Sequence, residues 1–96
     1  MSVVIVGGNE RMERQYKNVC QEYHCSAKVY TKESGMGGKV GDPDLLVLFT
    51  GTMSHKMLQG TLREVKGKGT VIARSHSSSI AALRGIVRRH TAVWEV

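Results

Sequence analysis

The chain begins with a β-branched run, Val3-Val4-Ile5-Val6, that stops at the pair Gly7-Gly8 where a helical pattern starts. A short apolar run of this kind suits a strand buried on both faces of a parallel sheet. With a helix after it, the run is the first half of a βα unit, and such units place ligand sites at the C-terminal ends of their strands. The rest of the chain extends the same alternation. Met12, Tyr16, Val19, Cys20 and Tyr23 recur at helical spacing through 10–24, with Asn9 placed to cap and Glu10 and Glu13 near the positive end. Residues 27–31 read as a second, weaker strand. Leu45-Leu46-Val47-Leu48-Phe49 is the most apolar run and the expected central strand. Met53, Met57, Leu58, Leu62 and Val65 mark a helix to about Lys66, ended by Gly67 and Gly69. Residues 70–73 read as a fourth strand. One of Ser77, Ser78 or Ser79 caps a last helix carrying Ile80, Leu83, Ile86 and Val87.

The order β-α-β-loop-β-α-β-α predicts an α/β fold, a small three-layer Rossmann-like or flavodoxin-like domain. Four parallel strands in the order 2-1-3-4 are expected, with about three helices. The segment 32–43, with Gly35, Gly37, Gly38, Gly41 and Pro43, reads as a loop where a longer protein would have a crossover helix. The tail 92–96 is expected to add a short strand or to lie at a subunit contact.

The 96 residues suffice for one domain, 1–96, with about 65% of the unfolded surface buried. The N-terminal apolar run is too short for a signal-peptide core or a membrane span, and Cys20 and Cys25 make no disulfide framework. The expected setting is the cytoplasm with reduced thiols. An excess of 14 Lys and Arg over 8 Asp and Glu, +6 in all, favours anionic partners.

Chemistry is expected at one edge, where Gly7-Gly8-Asn9, Lys32 onward, Thr50 to His55 and Arg74 to Ser79 converge. Three of these segments open helices, whose first N–H groups and dipoles favour anions. Thr50, Thr52, Ser54, Ser75 and Ser77 add hydroxyls, though capping alone also accounts for such residues. The dinucleotide pattern is incomplete: Arg11 and Met12 stand where its third glycine belongs, and Lys32 follows the second strand. The phosphate loop is absent too, since Gly38-Lys39 lacks the hydroxyl residue after it.

His55 and His76 are the principal candidates at this edge, because a helix N-terminus favours the neutral imidazole that binds a metal or accepts a hydrogen bond. Cys20, His24 and Cys25 fall short of a structural zinc set and read as core and helix end. There is no Gly-x-Ser-x-Gly elbow, and Asp42 and Asp44 lie at the opposite edge from the histidines, so a hydrolase is not indicated. Arg63, Lys66, Lys68, Arg84, Arg88 and Arg89 read as a solvated basic face without interleaved aromatics.

Val4-Ile5-Val6-Gly7-Gly8, Arg11, Tyr16, Pro43-Asp44, Ser54-His55, Arg74-Ser75 and the serines before the last helix together resemble the bacterial domain-of-unknown-function family numbered 2325. The resemblance implies a Rossmann-like domain without an established enzymatic activity. Some members look like haem-binding, oxygen-responsive proteins, which would make His55 the first candidate for an axial ligand to haem b. Many members carry a further histidine after the second strand, where this chain has Lys32-Glu33-Ser34-Gly35. Met36, Phe49, Met53 and Met57 would supply apolar walls, and Arg11, Lys56 and Arg74 would meet propionates. A chain this small would share such a pocket across a homodimer.

The leading expectation is a non-enzymatic sensor or regulatory domain with its ligand at the C-terminal strand edge, held by Gly7, Gly8, Arg11, Thr50, Thr52, Ser54, His55, Arg74, Ser75, His76 and Ser77. The alternatives are a phosphate- or nucleotide-binding module at the same edge, and a basic adaptor for protein or nucleic acid.

Overall fold

A computed structural model describes residues 1–31 and 40–91. Strand β1 (Ser2–Gly7) is followed by a 3-10 turn (Glu10–Met12), helix α1 (Glu13–Glu22) and strand β2 (Ser26–Tyr30). Strand β3 (Leu45–Phe49) leads through a second 3-10 turn (Thr50–Thr52) into helix α2 (His55–Val65). Strand β4 (Val71–Ser75) and helix α3 (Ile80–Thr91) complete the described chain. The four strands form one sheet in the order β2-β1-β3-β4, and every neighbouring pair is parallel. The α/β fold and its strand order are those the alternation of runs predicts. The expected C-terminal strand at 92–96 and most of the glycine-rich loop lie outside the described residues.

The layers follow from side-chain period. Along β1 and β3 successive residues alternate faces, yet all of Val3–Val6 and Leu45–Phe49 are buried, because both faces are covered. Val3, Ile5, Leu45, Val47 and Phe49 pack with Tyr16, Val19 and Cys20 of α1 and with Leu83, Ile86 and Val87 of α3. Val4, Val6, Leu46 and Leu48 pack on the other face with Met57 and Val65 of α2. Each helix thus buries one stripe at three- and four-residue spacing. Two buried hydroxyls, Thr61 and Thr91, donate to the Met57 and Val87 carbonyls one turn back, both at 2.8 Å, so neither is stranded in the core.

The first helix is shorter than its pattern. The Asn9 side chain accepts from the Arg11 N–H, and the Met12 N–H donates to the Asn9 carbonyl, so the first turn is 3-10 and the α-helix starts only at Glu13. The helix ends in a Schellman motif: His24 N–H donates to Gln21 O and Cys25 N–H to Cys20 O, with His24 at φ +60° where glycine is usual. At the N-terminal ends of the strands, the Asp44 carboxylate accepts from the Ser2 N–H at 2.8 Å, which places Asp44 far from the opposite rim. No helix among the described residues is long and apolar enough to cross a membrane.

Candidate functional site

Three of the four expected segments meet at the C-terminal rim: Gly7 to Asn9, Thr50 to His55, and Ser75 to Ser79. The fourth, Lys32 onward, lies outside the described residues. The three are tied directly to each other. The Gly8 N–H donates to Thr52 Oγ1 at 2.6 Å, and Thr52 Oγ1 donates to the Phe49 carbonyl at 3.0 Å. Thr50 Oγ1 donates to the Ser75 carbonyl at 3.5 Å. Gly51 lies so close to His76 that an added Cβ would collide with the His76 carbonyl oxygen and come 3.2 Å from its ring.

Tyr16 joins the first and third segments from below. Its hydroxyl donates to the Ser78 carbonyl at 2.7 Å and accepts from the Asn9 N–H at 3.2 Å, while its ring packs on Phe49 with centroids 5.3 Å apart. A reading of helix stripes counts Tyr16 only as an apolar face residue. Its phenol, a polar handle on a buried body, was the available signal of a tertiary hydrogen bond.

This geometry changes what the glycine pair does. Gly7 is buried, and a Cβ on it would lie 2.8 Å from the Phe49 carbonyl oxygen and 2.9 Å from Met53 Cγ. A Cβ on Gly8 would lie 2.9 Å from the Tyr16 ring. Both glycines therefore allow the chain to approach itself, and the Gly8 amide is already engaged by Thr52. The helix openings are likewise answered from within. Ser54 Oγ accepts from Met57 N–H at 3.0 Å, and Ser79 Oγ from Ala82 N–H at 3.1 Å, so Ser79 is the cap among the three serines. Ser77 instead bridges its own turn, accepting from Ser79 N–H, while Ser75 Oγ donates to the Ser77 carbonyl at 2.8 Å.

What the rim presents outward is side chains. Arg11, Thr52, Ser54, His55, Arg74, His76 and Ser77 are exposed; Thr50 and Ser75 are half-buried. His55 is the first residue of α2, with its ring Nε2 3.5 Å from Gln59 Nε2. His76 stands between β4 and α3. The apolar walls imagined for haem do not fit: Phe49 and Met57 belong to the core, Met53 is half-buried, and Met36 is outside the described residues.

The second cluster is structural. Cys20 and Cys25 are free and buried, His24 is exposed, and no group of three or more metal-ligating side chains occurs among the described residues. Burial, helped by the neighbouring Cys25, pushes the Cys20 thiol up to about 12 from its ordinary value of 9.0. A thiol whose folded pKa is raised stabilises the fold fully below the unfolded value. That contribution is lost as pH rises through the window between the two values. Urea titrations should therefore show stability falling from about pH 9 upward. A Cys20→Val variant should show a shallower fall; an identical alkaline fall in both chains would refute the assignment.

The basic residues divide. Arg84 of α3 pairs with Glu22 of α1, and Lys68 Nζ donates to the Gly41 carbonyl at 2.6 Å. Lys66 and Lys68 lie past the end of α2 rather than on it.

Comparison with curated proteins and with solved structures finds no match. The family model described as "Uncharacterized protein conserved in bacteria (DUF2325)" matches residues 2–90, which include every described strand and nearly all of the last helix, and the chain belongs to that family.

Proposed function

We propose that this chain is a non-enzymatic ligand-binding domain whose ligand, an anionic small molecule, rests on the C-terminal rim. The observation that carries this reading is the joining of three segments by the Gly8–Thr52 hydrogen bond and the Gly51–His76 contact. That joining leaves His55 and His76 exposed on one rim with Arg11 and Arg74. Because the Gly8 amide and the N-cap hydroxyls are engaged within the chain, recognition falls to side chains. Imidazole rings would hydrogen-bond the ligand, and arginine would answer its charge. A phosphate-bearing molecule suits that set, in a cytoplasmic setting with reduced thiols.

Haem is the second reading. It is favoured by one observation, the exposed His55 ring at the head of α2, and is weakened by the burial of Phe49 and Met57. It would require a second copy of the chain to complete an apolar enclosure.

Thermal unfolding against a panel of nucleotides and phosphate esters tests the first reading. A true ligand at a hundredfold excess over Kd should raise the midpoint by about 10 °C or more. That shift should shrink in His55→Ala and His76→Ala, both at exposed positions. Absence of any shift across the panel would remove the anion reading. A hemin Soret shift present in the wild type and absent in His55→Ala would put haem in its place.

A further inference from the structure

Strand β4 ends the sheet, and its outer edge is answered by no described residue. The Val71 N–H donates to the Asp44 carbonyl on the β3 side at 3.1 Å. In a parallel ladder the backbone groups of alternate residues point the same way. Ile72 and Arg74 therefore direct their N–H and C=O groups to the free side. Edges of this kind are templates for another strand, and proteins usually blunt them. Here the edge carries the exposed large apolar residues of the described chain, Val71 at 49% and Ile72 at 40%.

Beside the edge, a groove of about 450 Å³ opens between β4 and α3, floored by Ala73, Ala82 and Ile86 and bordered by Ser75, Arg89 and His90. The surrounding chain carries arginines and no acid. Residues 71–91 hold Arg74, Arg84, Arg88, Arg89, His76 and His90 and not one aspartate or glutamate. Arg84 is answered by Glu22, whereas no carboxylate lines the groove. Arg74 lies in register with Leu48 on the α2 face, and Arg89 rises from α3 on the other face, so the edge is bracketed by a cation on each side.

We propose that the β4 edge is a docking site for an extended acidic peptide segment of a partner protein, which adds to the sheet as a fifth strand. Peptide recognition at sheet edges takes its affinity from main-chain hydrogen bonds and its specificity from side-chain positions. The ladder groups of Ile72 and Arg74 require a polypeptide backbone, which a nucleic acid does not supply. Val71 and Ile72 take apolar side chains of the added strand, and Arg74 and Arg89 take its carboxylates. A second copy of this chain is disfavoured at the same edge. Each copy carries +6, and two-fold pairing of β4 with itself brings like-charged arginines together. The cations thus repel the chain's own edge while admitting an acidic one.

The probe is a fluorescently labelled peptide repeating Val-Val-Glu-Glu, so that each face of the added strand carries both valine and glutamate, titrated with the whole chain and followed by anisotropy. The expected result is saturable binding, accompanied by slowed hydrogen exchange at the Ile72 and Arg74 amides. Affinity should fall about tenfold or more in Arg89→Glu, and similarly when the peptide is N-methylated at alternate residues. Arg74 is shared with the rim, but Arg89 and the peptide backbone are not, so loss of binding in Arg89→Glu or on N-methylation leaves the rim reading standing, and loss of the nucleotide-induced shift in His55→Ala leaves this one standing. The proposal is overturned by the absence of saturable binding, or by equal affinity for a valine–lysine peptide. Indifference to N-methylation would overturn it as well. It is also overturned if the Ile72 and Arg74 amides are already protected without peptide, whether by the chain's own residues 92–96 or by a second copy seen in sedimentation.

Discussion

Replacing Gly7 by alanine is expected to cost about 3 kcal/mol of stability, against about 1 kcal/mol or slightly more for Gly67→Ala. Both glycines have positive φ, +91° for Gly7 and +82° for Gly67, so an L side chain is strained at either. They differ in what surrounds them. A Cβ at Gly67 would meet nothing within 4 Å, whereas one at Gly7 would press on the Phe49 carbonyl oxygen at 2.8 Å, Met53 Cγ at 2.9 Å and Thr52 Oγ1 at 3.0 Å. Met53 has the freedom to swing aside, but the Phe49 backbone does not. Phe49 is paired in register with Gly7 and its ring is fully buried against Tyr16. Relief must therefore open the β1–β3 pairing at its C-terminal end and disturb the Gly8–Thr52 hydrogen bond with it. Urea denaturation of the two variants measures the difference directly, with an unchanged slope showing that stability has changed without a change in the surface exposed on unfolding. Equal losses in the two variants would mean that the close approach at Gly7 carries no energy. The rim should then be regarded as loosely joined.

The contrast between these glycines shows where sequence reading succeeds and where it stops. The strands were legible because Val3–Val6 and Leu45–Phe49 are short apolar runs that suit two-sided burial, and two such runs separated by a helical pattern leave few topologies. The helices were legible from residues at three- and four-residue spacing, Tyr16, Val19 and Cys20, then Met57, Leu58, Leu62 and Val65, then Leu83, Ile86 and Val87, whereas the buried Thr61 was not among them. The purpose of Gly7-Gly8 was not. A glycine pair after a strand signals close approach, yet whether a ligand or the chain itself approaches depends on Tyr16, Phe49 and Thr52, which arrive from distant positions. Capping was legible as a class, but the choice of Ser79 over Ser77 and Ser78 depends on the turn geometry that places one hydroxyl below the Ala82 N–H. The basic face was visible as a charge count. Its division into Arg84 held by Glu22, Lys68 held by Gly41 and a bare groove beside β4 depends on neighbours from other elements.

Tyr16→Ala is expected to destabilise the fold by about 4 kcal/mol, and Tyr16→Phe by about 2 kcal/mol. The difference separates the ring from its hydroxyl. The ring fills the space between α1 and the end of β3, where it is fully buried against Phe49, and its removal leaves a cavity that the surrounding sheet cannot close. The hydroxyl does something else: it holds the Ser78 carbonyl and the Asn9 N–H at 2.7 and 3.2 Å, fixing the loop before α3 to the turn before α1. Phenylalanine keeps the packing and leaves both partly buried groups without that partner, so the loss is of hydrogen bonds rather than of volume. The consequence reaches the rim, since His76 and Ser77 stand on the segment that Tyr16 anchors. Faster amide exchange across 76–79 in Tyr16→Phe, with exchange in β1 and β3 unchanged, would show that the phenol organises this loop locally. If Tyr16→Phe matches the wild type in both stability and loop exchange, the rim is held without the phenol, by the Gly8–Thr52, Thr50–Ser75 and Gly51–His76 contacts. His76 would then be free to move independently of the first helix.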